Sequence, residues 1–323
     1  MLISANGIGK LRSYSRALGK VEEFIRKQFP FSQEAQDYYF GLWAEFAGSG
    51  LADKHFIQEL TSGALGKFEQ RAWEMILARR LRAFGHTLTS KDEGPDFHLI
   101  YKERTVWIEA ISPTPAGIPS EWLEPPLRNR RAEAIQVPFD AILLRWTAAL
   151  KEKREILVGR TLIDKATGEV RNELGYVSRG IVGNEDAYVI AIDPCQLTAN
   201  RPLDEGVSRL PIALEAVFPL GPIAVPIERD GKFGETIRTE RYMIKKQNKA
   251  DVPTDNFLNP SYMSISAIVS ASTVFAPAES LHLTVVHNPL AKNQLPLGLF
   301  GPATSEWTAE EVGDGAFELR KHG

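Results

Sequence analysis

Three carboxylates in this sequence stand where they could act together: Glu74, Asp96 and Glu109. Asp96 lies in Glu93-Gly94-Pro95-Asp96-Phe97, at the entry to a predicted strand. Glu109 lies in Val106-Trp107-Ile108-Glu109-Ala110, near the end of the next one. In an antiparallel hairpin the start of one strand lies beside the end of the other, so Asp96 would meet Glu109. Two carboxylates and the Ala110 carbonyl form an all-oxygen donor set suited to Mg2+ or Mn2+. A cation there would lower the pKa of a bound water and neutralise charge building on a phosphodiester. Gly-Pro-Asp is also an ordinary turn tripeptide. What singles out Glu109 is its strand, which is otherwise apolar enough to be central. A carboxylate in such a setting is costly unless it is paired or metal-bound.

These residues need elements that bring them together. Lys67 to Phe84 carries Phe68, Ala72, Trp73, Ile76, Leu77, Leu81 and Phe84 at helical spacing, with Gly85 where a C-terminal cap belongs. That helix presents Glu74 at the edge of its apolar face, and Glu69, nearer the centre, is a rival for the same role. His86 to Thr89 reads as a short strand. Phe97 to Lys102 and Thr105 to Ile111 read as two strands around a tight turn at Glu103-Arg104. Pro113 to Pro126 is a proline-rich loop, and Pro138 to Leu157 a second strong helix. Leu162 to Asn172 reads as a hairpin turning at Thr167-Gly168. Tyr188 to Asp193 is nearly all apolar, as a strand buried on both faces should be.

The flanking regions differ from this middle. Residues 1–62 read as an N-terminal helical segment, with Ala17 to Gln28 and Gln33 to Phe46 broken by Phe29-Pro30-Phe31-Ser32, and Asp53 to Leu60 as a short third helix. It is a candidate surface for a second copy or a protein partner. Residues 201–323 read as a β-rich C-terminal extension of unassigned role, with a hairpin around Asp230-Gly231 and strands at Ser264 to Ser270 and Leu281 to His287. Residues 63–200 make the α/β core. The order of elements predicts a mixed α/β fold, a central mixed β-sheet flanked by helices.

A helix with Glu74, then Glu-Gly-Pro-Asp-Phe, then Trp-Ile-Glu-Ala resembles the PD-(D/E)XK nuclease superfamily. The likeness spans about 130 residues of this chain. It implies a restriction-endonuclease-like core, a metal-dependent nuclease acting on DNA, Asp96 and Glu109 as metal ligands, and Glu74 as the helical acidic residue. The family's lysine lies two positions after the motif Glu, and here that position is Ile111. Some members supply the charge from the following helix, which here runs Leu144-Arg145-Trp146-Thr147-Ala148-Ala149-Leu150-Lys151-Glu152-Lys153. Arg145 and Lys151, on edges of the face containing Ala148, are the candidates to stabilise the phosphate. The absent motif lysine also supports a second reading, a catalytically inactive nuclease fold kept as a binding module for protein or nucleic acid.

Composition narrows the rest. A net charge of -3 argues against binding polyanions by bulk charge, though a local basic groove can act inside an acidic chain. Arg128, Arg130 and Arg131 form one small basic cluster, with Trp122 nearby. Cys195 is the single cysteine, which excludes an intrachain disulfide and a multi-cysteine zinc site; it reads as a buried apolar residue. The N-terminus lacks an apolar stretch of the signal-peptide kind, and no run is long enough to span a membrane, so a cytoplasmic location is expected. Gly7-Ile8-Gly9-Lys10 and Gly63-Ala64-Leu65-Gly66-Lys67 lack the spacing of a phosphate-binding loop.

Overall fold

A computed structural model of the chain describes residues 18–64, 66–91, 93–124, 136–164, 167–199, 201, 203–271, 281–313 and 316–322. The Gly7 to Lys10 segment and the Arg128, Arg130 and Arg131 cluster lie outside the described residues.

The described residues open with helices α1 (18–28), α2 (Gln33–Gly48), α3 (Lys54–Leu60) and α4 (Lys67–Ala83). Ser32 and Asp53 cap α2 and α3, their side-chain oxygens accepting from Ala35 N (3.2 Å) and Phe56 N (2.6 Å). Strands β1 (Phe97–Tyr101) and β2 (Arg104–Ile111) form the predicted antiparallel hairpin. Its turn falls at Lys102-Glu103, one residue earlier than the sequence suggests. Both residues have positive φ (48° and 64°), the backbone that matches the twist of a two-residue hairpin. His86 to Thr89 forms no strand; only Thr89 bridges to His98.

Next come α5 (Ser120–Leu123), inside the proline-rich loop, and α6 (Phe139–Val158). The hairpin of β3 (Gly159–Ile163) and β4 (Val170–Leu174) follows, then β5 (Ala187–Ile192), α7 (Cys195–Thr198) and α8 (Ile212–Glu215). Two small ribbons come after them. In one, β6 (Leu220–Ala224) pairs with β7 (Ile237–Glu240); in the other, β8 (Met243–Lys245) pairs with β9 (Asp251–Pro253). The chain then enters β10 (Ala267–Ala271), β11 (Leu283–His287), β12 (Thr304–Gly313) and β13 (Ala316–His322).

The architecture is mixed α/β. A seven-stranded sheet in the order β1-β2-β5-β10-β11-β12-β13 runs through the molecule, with helices on both faces. β2, β5 and β10 are parallel neighbours; β1, the β10–β11 pair and β13 add antiparallel pairings. Strands β10 to β13 extend the sheet that β1, β2 and β5 begin, so the sheet crosses residue 200. Side-chain alternation divides the core in two. Val106, Ile108 and Ala110 of β2, with Ala187, Val189 and Ala191 of β5, pack beneath α1 to α4. Trp107 and Ile111, with Tyr188, Ile190 and Ile192, pack beneath α6 and α8.

Two side chains lock α4 to this sheet. Trp73 Nε1 donates to the Ala191 carbonyl at 3.0 Å. Arg80, fully buried, donates through Nε to the Phe300 carbonyl at 2.9 Å and through a terminal nitrogen to the Pro302 carbonyl. No described helix is long and apolar enough to cross a membrane.

Candidate active site

The hairpin register explains how Asp96 and Glu109 come together. Phe97 faces Ile108, so the residue before β1 falls opposite the end of β2. Asp96 Oδ2 accepts the Ala110 N–H at 2.7 Å, continuing the ladder with a side chain where the backbone pairing has ended. Asp96, Glu109 and Ala110 line a cleft of about 380 Å³ whose other walls come from α4 (Lys67, Gln70, Arg71, Glu74) and α6 (Arg145, Ala149, Glu152, Lys153). A concavity of this size holds a small molecule or a segment of a larger one.

Glu109 points to the α6 side, where Lys153 Nζ donates to its Oε1 at 2.7 Å. The other oxygen, Oε2, is buried and accepts no hydrogen bond. Burial and then repulsion from Asp96 push the Glu109 carboxyl above the usual range, against the pull of Lys153. Burial works against the charge on Lys153, but Glu109 and Asp96 outweigh it and hold the ammonium charged. Asp96 is raised by burial, with Lys153 and the Ala110 N–H opposing the shift.

Glu74 faces the same cleft from the other side of the sheet edge and is 3 % exposed. Burial first and Asp96 second raise its carboxyl, although Arg71 Nη1 contacts both its oxygens at 2.7 and 2.8 Å. Arg71 also reaches Glu59 on α3, which Lys67 joins. These two cations outweigh the effect of burial and hold Glu59 down at about 2.

Gln70 ties these parts together. Its Oε1 accepts the Ser112 N–H at 2.7 Å, and its Nε2 donates to the Ala110 carbonyl at 3.1 Å and to Glu74 Oε1 at 3.0 Å. The backbone donor at Ser112 fixes which end of the amide is oxygen. Gln70 therefore acts as a strand neighbour for β2 beyond the end of β1 while it orients Glu74.

Of the residues singled out from sequence, Glu74, Asp96, Glu109, Ala110 and Arg145 line this cleft, and Lys151 does not. Lys151 is exposed, 3.7 Å from Glu155 on the outer face of α6. Lys153 stands in its place. Arg145, Ala149 and Lys153 recur at every fourth residue and share one helix face, whereas Lys151 is turned about 200° from Lys153. Arg145 Nε donates to the Thr114 carbonyl at 2.8 Å. Glu69 is half-exposed and outside the cleft lining, so Glu74 is the α4 carboxylate at the site. Cys195 is buried beside Ser112 and Asp193, and burial pushes its thiol up. Sequence reasoning missed Gln70, Arg71 and Lys153; four-residue spacing from Arg145 and from Glu74 would have found Lys153 and Gln70.

The donor set suits a hard cation. The buried Glu109 Oε2, the neighbouring Asp96 and the Ala110 carbonyl are all hard oxygen donors, and crowded carboxylates gain from a positive charge between them. Among the described residues no three His, Cys, Asp or Glu side chains group closely enough to hold a metal ion. Ligation would thus rest on two carboxylates, the Ala110 carbonyl and water. Comparisons with protein-family models, curated proteins and solved structures find no match for this chain.

Proposed function

We propose that this chain is a metal-dependent nuclease with a restriction-endonuclease-like core and a PD-(D/E)XK-type site that hydrolyses phosphodiesters in DNA. The observation that carries this reading is the Lys153–Glu109 contact at 2.7 Å, because it supplies from α6 the ammonium missing at Ile111. Asp96, Glu109 and the Ala110 carbonyl would hold Mg2+ or Mn2+, which supplies an activated water and offsets phosphate charge. The protein's own groups do the rest. Lys153, kept charged by Glu109, stabilises negative charge on the phosphate. Arg145 contributes a second cation at the cleft wall. Glu74, held by Gln70 and Arg71, orients water. The test is cleavage of a labelled duplex with Mg2+ or Mn2+. Asp96→Ala and Glu109→Ala should each abolish it while the circular dichroism spectrum stays unchanged; undiminished cleavage by both variants rejects the assignment.

One observation favours the second reading, an inactive binding module. Glu109 and Glu74 each already hold a built-in cation, Lys153 and Arg71, so the cleft is largely charge-balanced without a metal. A calorimetric Mn2+ titration separates the two: an inactive module gives no binding that depends on Asp96.

A further inference from the structure

Residues 220–253 carry seven cations against five anions, a net charge of +2 inside a chain of net charge -3. They lie in the two small ribbons, which are separate from the seven-stranded sheet. The β6–β7 ribbon continues past its ladder to a bridge between Ile227 and Phe233 and a turn at Asp230-Gly231. From Leu220 to Asp230 that arm spans roughly 30 Å if extended. The β8–β9 ribbon turns through Lys246 to Ala250, where Lys246 N–H meets the Ala250 carbonyl and Lys249 N–H the Lys246 carbonyl.

Two of the cations serve the fold. Arg241 pairs with Asp140 at the start of α6 and with buried Glu215, and Arg238 donates to the Ser208 carbonyl. The others face solvent. Lys245 ends β8 and pairs with Asp251 at 3.4 Å, while Lys246 and Lys249, in the tight turn that follows, have no ion pair among the described residues. Large apolar side chains are exposed on the same two ribbons or the chain that joins them: Phe233 is 77 % exposed, Met243 51 % and Tyr242 46 %. Exposed rings and exposed lysines on the same ribbons match the chemistry of a single strand, whose phosphates take cations and whose bases stack on rings. The wing is rooted on α6, through Ile244 in the core and Arg241 on Asp140, and α6 carries Arg145 and Lys153 into the cleft.

We infer that the two ribbons form a wing that grips single-stranded nucleic acid, Lys245, Lys246 and Lys249 taking phosphates and Phe233 and Tyr242 stacking on bases. This rests on the nuclease reading in taking nucleic acid as the substrate, but it is tested without cleavage. The experiment measures fluorescence anisotropy of a labelled oligothymidylate 20-mer with the full chain in EDTA, over a range of salt. Replacing all three lysines (Lys245→Gln, Lys246→Gln, Lys249→Gln) should weaken binding at least about tenfold. It should also flatten the slope of log affinity against log salt by roughly 0.7 for each phosphate that the variant no longer neutralises. Phe233→Ser with Tyr242→Ser should weaken binding at least about 30-fold and leave that slope unchanged. Unaltered affinity in both variants overturns the inference, as does a duplex binding more tightly than the single strand, or polyglutamate competing as well as the oligonucleotide. If the lysines only guard exposed strand edges, the triple variant self-associates in light scattering at unchanged affinity, and the inference also falls. Absence of the wing effect with metal-dependent cleavage intact removes the wing alone. An intact wing effect without any such cleavage removes the nuclease reading instead.

Discussion

Lys153 Nζ lies 2.7 Å from Glu109 Oε1, joining positions 44 residues apart on two different layers of the molecule. The side chains are 13 % and 8 % exposed, so the pair is screened little by solvent. A lysine two residues after Glu109 would share its strand face. A lysine on α6 approaches the same carboxylate from above, and Ile111 is left free to pack in the core.

That contact separates two lysines that lie close in sequence. Lys153→Met should lower metal-dependent hydrolysis by about 10²- to 10³-fold, the usual effect of removing one electrostatic stabiliser. Lys151→Met should change it less than about twofold. Initial rates on a labelled duplex, with folding checked by thermal melting, decide the matter. Equal impairment of both variants would show that Lys153 is not the cation.

The carboxylates make stability depend on pH. Glu109 and Glu74 are raised to about 7 and about 8. A raised carboxyl binds a proton in the folded state that the unfolded chain has already released, so folding weakens as pH climbs from the unfolded value near 4.3 through the folded one. The metal-free protein should therefore lose melting temperature between about pH 5 and pH 8. Glu109→Gln should flatten that fall, and Mn2+ should raise the melting temperature most at the alkaline end. A melting temperature that rises over this window in the absence of metal would contradict the burial of these groups.

Gln70 offers a test of positioning. Gln70→Ala leaves the Ser112 N–H without its acceptor and leaves Glu74 held by Arg71 alone, at a cost of about 1–3 kcal/mol in stability. Because Gln70 also holds the Ala110 carbonyl, the variant should bind Mn2+ more weakly and lose turnover more than it loses substrate affinity. Denaturant melts and Mn2+ calorimetry read the two effects separately. A variant destabilised by that amount with unchanged Mn2+ affinity would reduce Gln70 to a purely structural bond.

The elements that hold the site are legible in the sequence because their periodicities are strong. The α4 and α6 faces, the apolar β5 run and the Asp96–Glu109 hairpin follow from spacing alone. The choice of lysine does not, because helix phase taken around Ala148, which is exposed, differs from the phase around Ala149, which is buried. A shift of one residue rotates the reading by about 100° and selects the solvent face. Strands β12 and β13 are hidden in the sequence because their polar, charged faces carry little apolar alternation; they are sheet strands because β11 offers them an edge. Gln70 is hidden for a different reason: nothing local marks a side-chain amide that completes a ladder 40 residues away.

Arg80 gives the molecule a keystone. Its guanidinium is enclosed in carbonyls contributed more than 200 positions downstream, and it belongs to the helix that presents Glu74. The cleft and the carboxy-terminal third are thus interlocked. Residues 63–200 are not a cassette to be cut out, shuffled or grafted, because removing the distant Phe300 loop would strip the buried Arg80 guanidinium of these acceptors.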